Sequence, residues 1–127
     1  MRHAFLLTAV LACSLSAAPT PPSALLVLSK ADQTLAIVNP VDLSVVARMP
    51  SGPDPHEVVG SSDGKLAFIS NYGGGSYNTI TVVDLIAQKT LTAIDLGPLR
   101  GPHGLMLLKP YWKNIEPVAK THAPLRA

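Results

Sequence analysis

Cysteine is nearly absent: Cys13 is the single one in 127 residues, and it sits inside the first apolar stretch. A chain processed beyond it has no disulfide and no thiolate metal ligand. Aromatic residues make up only 5%, so aliphatic side chains must build the core. Charge is also scarce, at 14%. Between Ala18 and Leu108 five Lys or Arg stand against seven Asp or Glu, which denies this region the clustered basic surface that phosphate neutralisation requires and excludes nucleic acid as a partner. The excess of positive charge falls instead in 109–127, at Lys109, Lys113, Lys120 and Arg126, and reads as an irregular, solvated basic tail. The sequence is read as lacking Gly-x-Ser-x-Gly, His-Glu-x-x-His and Cys-x-x-Cys-His motifs, so serine-hydrolase, zinc-protease and covalent c-type haem chemistry find no support, and no cofactor or assigned metal site is expected.

What is present begins with "MRHAFLLTAVLACSLSAAPTPPS". A positive start at Arg2, an apolar stretch from Ala4 to Ala12 and small residues at Ser14, Ser16, Ala17 and Ala18 have the layout of a secretory signal peptide. Its helix is too short for a membrane span, which takes about 20 apolar residues. Residues 1–17 are therefore expected to be removed, leaving an exported protein of the periplasm, cell surface or medium with no transmembrane segment. "VLAC" also resembles a lipoprotein box, with Leu11 departing from its usual small residue. Along that route Cys13 would carry a lipid anchor and the prolines of "PTPPS" would be a stiff spacer.

Twelve prolines and nine glycines cluster between apolar runs of four to seven residues, the pattern of short strands joined by turns. The runs repeat. Residues 34–53, "TLAIVNPVDLSVVARMPSGP", superpose on 79–98, "TITVVDLIAQKTLTAIDLGP", at an offset of 45, so Thr34 meets Thr79, Ile37 meets Val82 and Gly52 meets Gly97. "LVLSK" at 26–30 matches "AFISN" at 67–71 at an offset of 41, and Pro55-His56 matches Pro102-His103 at 47. Asp63-Gly64 marks a two-residue hairpin, and residues 56–96 read as one four-stranded antiparallel meander. "ALLVLS", "TLAIVN" and "SVVARM" supply three strands of an earlier unit, and "HGLMLL" the first strand of a later one. Strands apolar on both faces need a similar sheet stacked on each side, which predicts an all-β, incomplete β-propeller of four-stranded blades over 18–108, one complete and two partial.

The run Pro-His-x-Val, Ser-x-Asp-Gly-Lys-Leu-Ala-Phe-Ile-Ser-Asn, Asn-Thr-Ile-Thr-Val-Val-Asp-Leu resembles the YVTN-type β-propeller repeat family, with "FISN" at 68–71 where the name-giving residues stand. The resemblance spans about Leu25 to Leu108. It implies a binding or scaffold module without catalysis, whose ligand is a protein or a small molecule. The alternative it implies is a remnant of a propeller enzyme, lactonase-like or redox-associated. A propeller has about four to eight blades, so the chain is expected to be a truncated fragment, or else to self-associate through open blade edges.

Candidate chemistry centres on the histidines. His56 and Glu57 are adjacent, and neighbours on a strand point to opposite faces, so they cannot converge without a bulge. Glu57 is replaced by Gly104 in the second copy, which favours a histidine kept by the repeat over a His-Glu dyad. The resemblance places this strand innermost, so His56 and His103 would face a central channel and share a metal or an anionic ligand there, or else hydrogen-bond to backbone of the neighbouring blade. "NYGGGSYN" at 71–78 lacks the Gly-Lys-Ser/Thr ending of a phosphate loop and reads as a surface loop offering Tyr72 and Tyr77 to partners. N-terminal sequencing of the mature chain should find a start at Ala17 or Ala18; a retained Met1 would overturn the leader.

Overall fold

A computed structural model describes residues 18–108. The expected leader at 1–17, Cys13 and the basic tail at 109–127 lie outside the described residues. The chain is all-β, in two antiparallel sheets. Sheet 1 contains β1 (Leu25–Ser29), β2 (Thr34–Val38) and β3 (Val45–Pro50) in that order. Sheet 2 contains β4 (Pro55–Gly60), β5 (Leu66–Asn71) and β6 (Thr79–Asp84), followed by β7 (Lys89–Thr90) and β8 (Ile94–Asp95), both paired with β6. The seven main runs seen in the sequence thus become strands in the expected order. The fourth strand of the meander, however, is broken at residues 91–93. It is an edge, bonded on one side only and exposed, so losing ladder bonds there uncovers no core.

Turn chemistry explains the connections. At Asp63-Gly64 the chain does reverse, with Gly64 at φ +70°, but through four residues rather than two: the Ser61 amide donates to the Leu66 carbonyl at 2.8 Å. Asp63 organises this longer loop, accepting from the Ser61 hydroxyl at 2.6 Å and the Lys65 amide at 3.1 Å, as short acidic side chains do in turns. "HGLMLL" forms no strand. A strand needs a hydrogen-bonding neighbour, and among the described residues none lies beside it; Leu107 and Leu108 instead share a shallow cleft with Phe68.

The sheets stack with β1 over β4 and β3 over β7. Leu35, Ile37 and Met49 of sheet 1 meet Ala67, Ile69 and Val83 of sheet 2, with Leu85 beside them, and all are buried. A strap of residues 18–24 ties the stack together, the Thr20 hydroxyl donating to the Leu85 carbonyl and the Gln88 amide donating to the Ala18 carbonyl at 2.7 Å.

Strand pairing corrects the repeat by one residue. Ser29 is opposite Thr34, and Asn71, not Ser70, is opposite Thr79. With β2 and β6 at an offset of 45, β1 therefore matches β5 at 42 rather than 41. One residue of slip changes every face assignment. In the corrected register Leu26, Leu28, Leu35, Ile37 and Met49, the face by which sheet 1 covers sheet 2, correspond to Phe68, Ser70, Ile80, Val82 and Ile94. Those lie on the opposite, outer face of sheet 2. The stack is therefore translational, like covering unlike.

Asn71 fastens it. Wholly buried, its amide nitrogen donates to the Ser51 carbonyl at 3.0 Å, while its oxygen accepts from Thr81 at 2.8 Å and Thr79 at 3.1 Å. The segment joining the sheets is thereby bonded to the middle of sheet 2. Gly52 makes the close approach possible: at φ +76°, a methyl group there would overlap Thr81 Oγ1 and lie 2.8 Å from Asn71 Nδ2. Its repeat partner Gly97, at φ +61°, meets nothing within 4 Å. Gly52→Ala should cost roughly 2–4 kcal/mol from the left-handed backbone plus overpacking, whereas Gly97→Ala should cost only the backbone part, roughly 1–2 kcal/mol. Equal losses in chemical denaturation would show that the approach to Asn71 contributes nothing.

Candidate functional site

The site grows from the start of β4. Pro55 pairs with Asn71, but it is Glu57, not His56, that pairs with Ser70. His56 is thus the extra residue of a β-bulge, which re-aims side chains at a strand end. The Glu57 amide also donates to the Ser70 hydroxyl at 3.1 Å. Alternation would have sent His56 and Glu57 to opposite faces; the bulge brings both to the outer side of sheet 2.

Residues 101–108 cross that side. Glu57 Oε2 accepts from the amides of Gly104 at 2.6 Å and Leu105 at 3.0 Å, so the carboxylate replaces the strand that "HGLMLL" does not find. This contact brings in His103, whose Nδ1 lies 3.9 Å from Glu57 Oε1. His56 and His103 rings sit 4.9 Å apart, and Tyr72 completes a trio at 4.9 Å from His56 and 5.7 Å from His103. One ligand atom from each of His56, Glu57 and His103 lies within 4.8 Å of the others. The site is open, with the His103 side chain 58% exposed and that of Glu57 32%.

The two histidines singled out from the sequence are therefore brought together. Among the described residues it is Glu57, set aside by the repeat comparison, whose side chain is hydrogen-bonded to backbone here. A bulge leaves no mark in the letters "PHEVV", so its only sequence signal was the His-Glu adjacency itself. Tyr72 belongs to the loop that begins at Asn71, and the loop is well held. Gly73–Gly75 form a short 3-10 turn, and the Gly73 amide donates to Asp54 Oδ2 at 2.7 Å. Asp54 is also paired with Lys30 at 2.8 Å, which, ahead of the amides, holds its carboxyl below the ordinary range.

Gly60-Ser61-Ser62-Asp63-Gly64 has the Gly-x-Ser-x-Gly spacing of a nucleophile elbow, which corrects the expectation that no such motif is present. Ser62 lies in the turn between β4 and β5, not between a strand and a helix. Among the described residues no serine, threonine or cysteine is hydrogen-bonded to His56 or His103, so an activated nucleophile of that kind is not formed there.

Comparison with known proteins adds fold information only. No known protein family matches the chain, and no curated protein matches it. Among solved structures it is similar to hydrazine synthase from Kuenenia stuttgartiensis, with a TM-score of 0.57 and 23% identity, over 62% of this chain and 22% of that one. The likeness is to a part of a much longer protein.

The Leu105 amide first, then the Gly104 amide and the charges of His103 and His56, hold the Glu57 carboxyl below the ordinary glutamate value against an opposing push from burial. A carboxyl depressed in the folded state stabilises fully above its unfolded value, about 4.3, and the contribution is lost as pH falls through the folded value. Thermal stability should therefore drop on acidification from roughly pH 5 to 3, and the drop should be shallower in Glu57→Gln. Parallel pH profiles would show that the Glu57 contact with Gly104 and Leu105 contributes nothing.

Proposed function

We propose that the chain is an exported β-propeller repeat module of the YVTN type, a non-catalytic binding or scaffold element that joins further sheets through the outer face of sheet 1 and through the exposed edge of sheet 2 around Ile94. The observation that carries this reading is the unequal burial of the two repeat copies. Leu35, Ile37 and Met49 are buried against sheet 2; of their counterparts on the outer face of sheet 2, Val82 is buried as well, but Ile80 is partly exposed and Ile94, the counterpart of Met49, is 44% exposed. Conversely, Ala67 and Ile69 are fully covered, while their counterparts Leu25 and Val27 on the outer face of sheet 1 are each 46% exposed.

The outer face of sheet 2 is thus of the kind that covers, and the outer face of sheet 1 of the kind that is covered. A second copy of the chain supplies the match, its sheet 1 against the first copy's sheet 2. Such a head-to-tail contact closes into a ring or continues as a filament. The bulged end of β4, with His56 and His103, is the ligand position of the assembled module. Binding rather than covalent catalysis is favoured because no nucleophile is hydrogen-bonded to either histidine among the described residues. The propeller-enzyme reading rests on those histidines and, weakly, on the likeness to part of a hydrazine synthase.

Mass in solution across a concentration series tests the reading. Association should rise with concentration and weaken in Ile94→Lys, a substitution at an exposed position. A monomer of constant mass with a cooperative, concentration-independent thermal transition would overturn it.

A further inference from the structure

The geometry points to a site for one divalent transition-metal cation at His56, Glu57 and His103. Two imidazoles and a carboxylate are the donor set that Zn2+ and its neighbours favour, while hard cations such as Mg2+ prefer all-oxygen shells. Tetrahedral coordination with bonds of about 2.1 Å places donors roughly 3.4 Å apart. The three donors here already lie within 4.8 Å of one another, and the His103 and Glu57 atoms are at 3.9 Å. Both histidines are exposed, so small side-chain rotations close the remaining gap without disturbing the core.

The surroundings are organised for ligation. Gly104 and Leu105 occupy Glu57 Oε2, which orients the carboxylate and leaves Oε1 toward His103 Nδ1. Hydrogen bonding of this sort is what positions ligands around a metal and strengthens binding. Tyr72 lies beside both imidazole rings, at 4.9 Å from His56 and 5.7 Å from His103. Three protein donors leave a fourth position open, as in sites where a water or a small anion completes the shell. The metal would also bridge β4 to residues 101–108, adding a second fastening where the Glu57 carboxylate supplies the first.

This deepens, and rests on, the reading of His56 and His103 as ligand positions; metal binding and mass in solution are separate readouts, so failure of one is distinguishable from failure of the other. The test is titration of the tag-free full chain with Zn2+ by calorimetry, and with Co2+ by its visible spectrum. One Zn2+ per chain should bind, Mg2+ should not compete, and His56→Ala, His103→Ala and Glu57→Gln should each weaken binding by about tenfold or more. Circular dichroism of each variant should match the parent, since these side chains are outside the core. The double variant His3→Ala/His122→Ala should bind as the parent does. Absence of saturable Zn2+ binding, or binding lost in the His3/His122 variant and retained in His56→Ala, would overturn the proposal.

Discussion

The architecture depends on one buried amide. Asn71 is the last residue of a central strand, and its three hydrogen bonds bond the linker between the sheets to the sheet that follows. An amide in that position has no access to water, so each partner it lost would leave a polar group unsatisfied in an apolar surrounding. The requirement is mutual. Asn71 demands a linker close enough to offer the Ser51 carbonyl, and that closeness demands the absence of a side chain at Gly52. A polar contact thereby sets the spacing that the aliphatic core fills.

The same economy governs the site. A chain segment with no neighbouring strand must have its amides satisfied in some other way, and Glu57 answers two of them with one oxygen. That is possible only because the bulge at His56 turns Glu57 toward the outer side of sheet 2. Three features that look separate in the sequence, an irregular strand start, an isolated glutamate and a run of leucines without a partner, prove to be parts of one arrangement. The cluster of His56, Glu57 and His103 is its consequence.

Much of the fold was legible before any coordinates. Apolar runs punctuated by Gly, Pro and Asp give the seven main strands, and the internal match of 34–53 with 79–98 marks the repeated unit. What escaped was decided by single residues. "LVLSK" over "AFISN" superposes plausible letters, yet β1 corresponds to β5 one residue further along, because hairpin length is fixed by turn geometry rather than by composition. The break at 91–93 escaped because apolar composition says nothing about which edge bonds are made. "HGLMLL" has the composition of a strand but, among the described residues, no strand beside it to pair with. At the site, His56 and His103 were found from their recurrence, whereas Glu57 was discounted by a rule of alternation that the bulge suspends.

The strap at residues 18–24 bears on how the chain folds in time. Thr20 reaches Leu85 and Gln88, so its hydrogen bonds close a loop of more than sixty residues, while each hairpin joins residues close in sequence. Loop-closure entropy disfavours such distant contacts until the intervening chain is ordered. The hairpins can form first, but the strap finds its acceptor only after β6 and the turn beyond it are in place. The first described residues are thus among the last to settle, although they are synthesised before the strands they fasten.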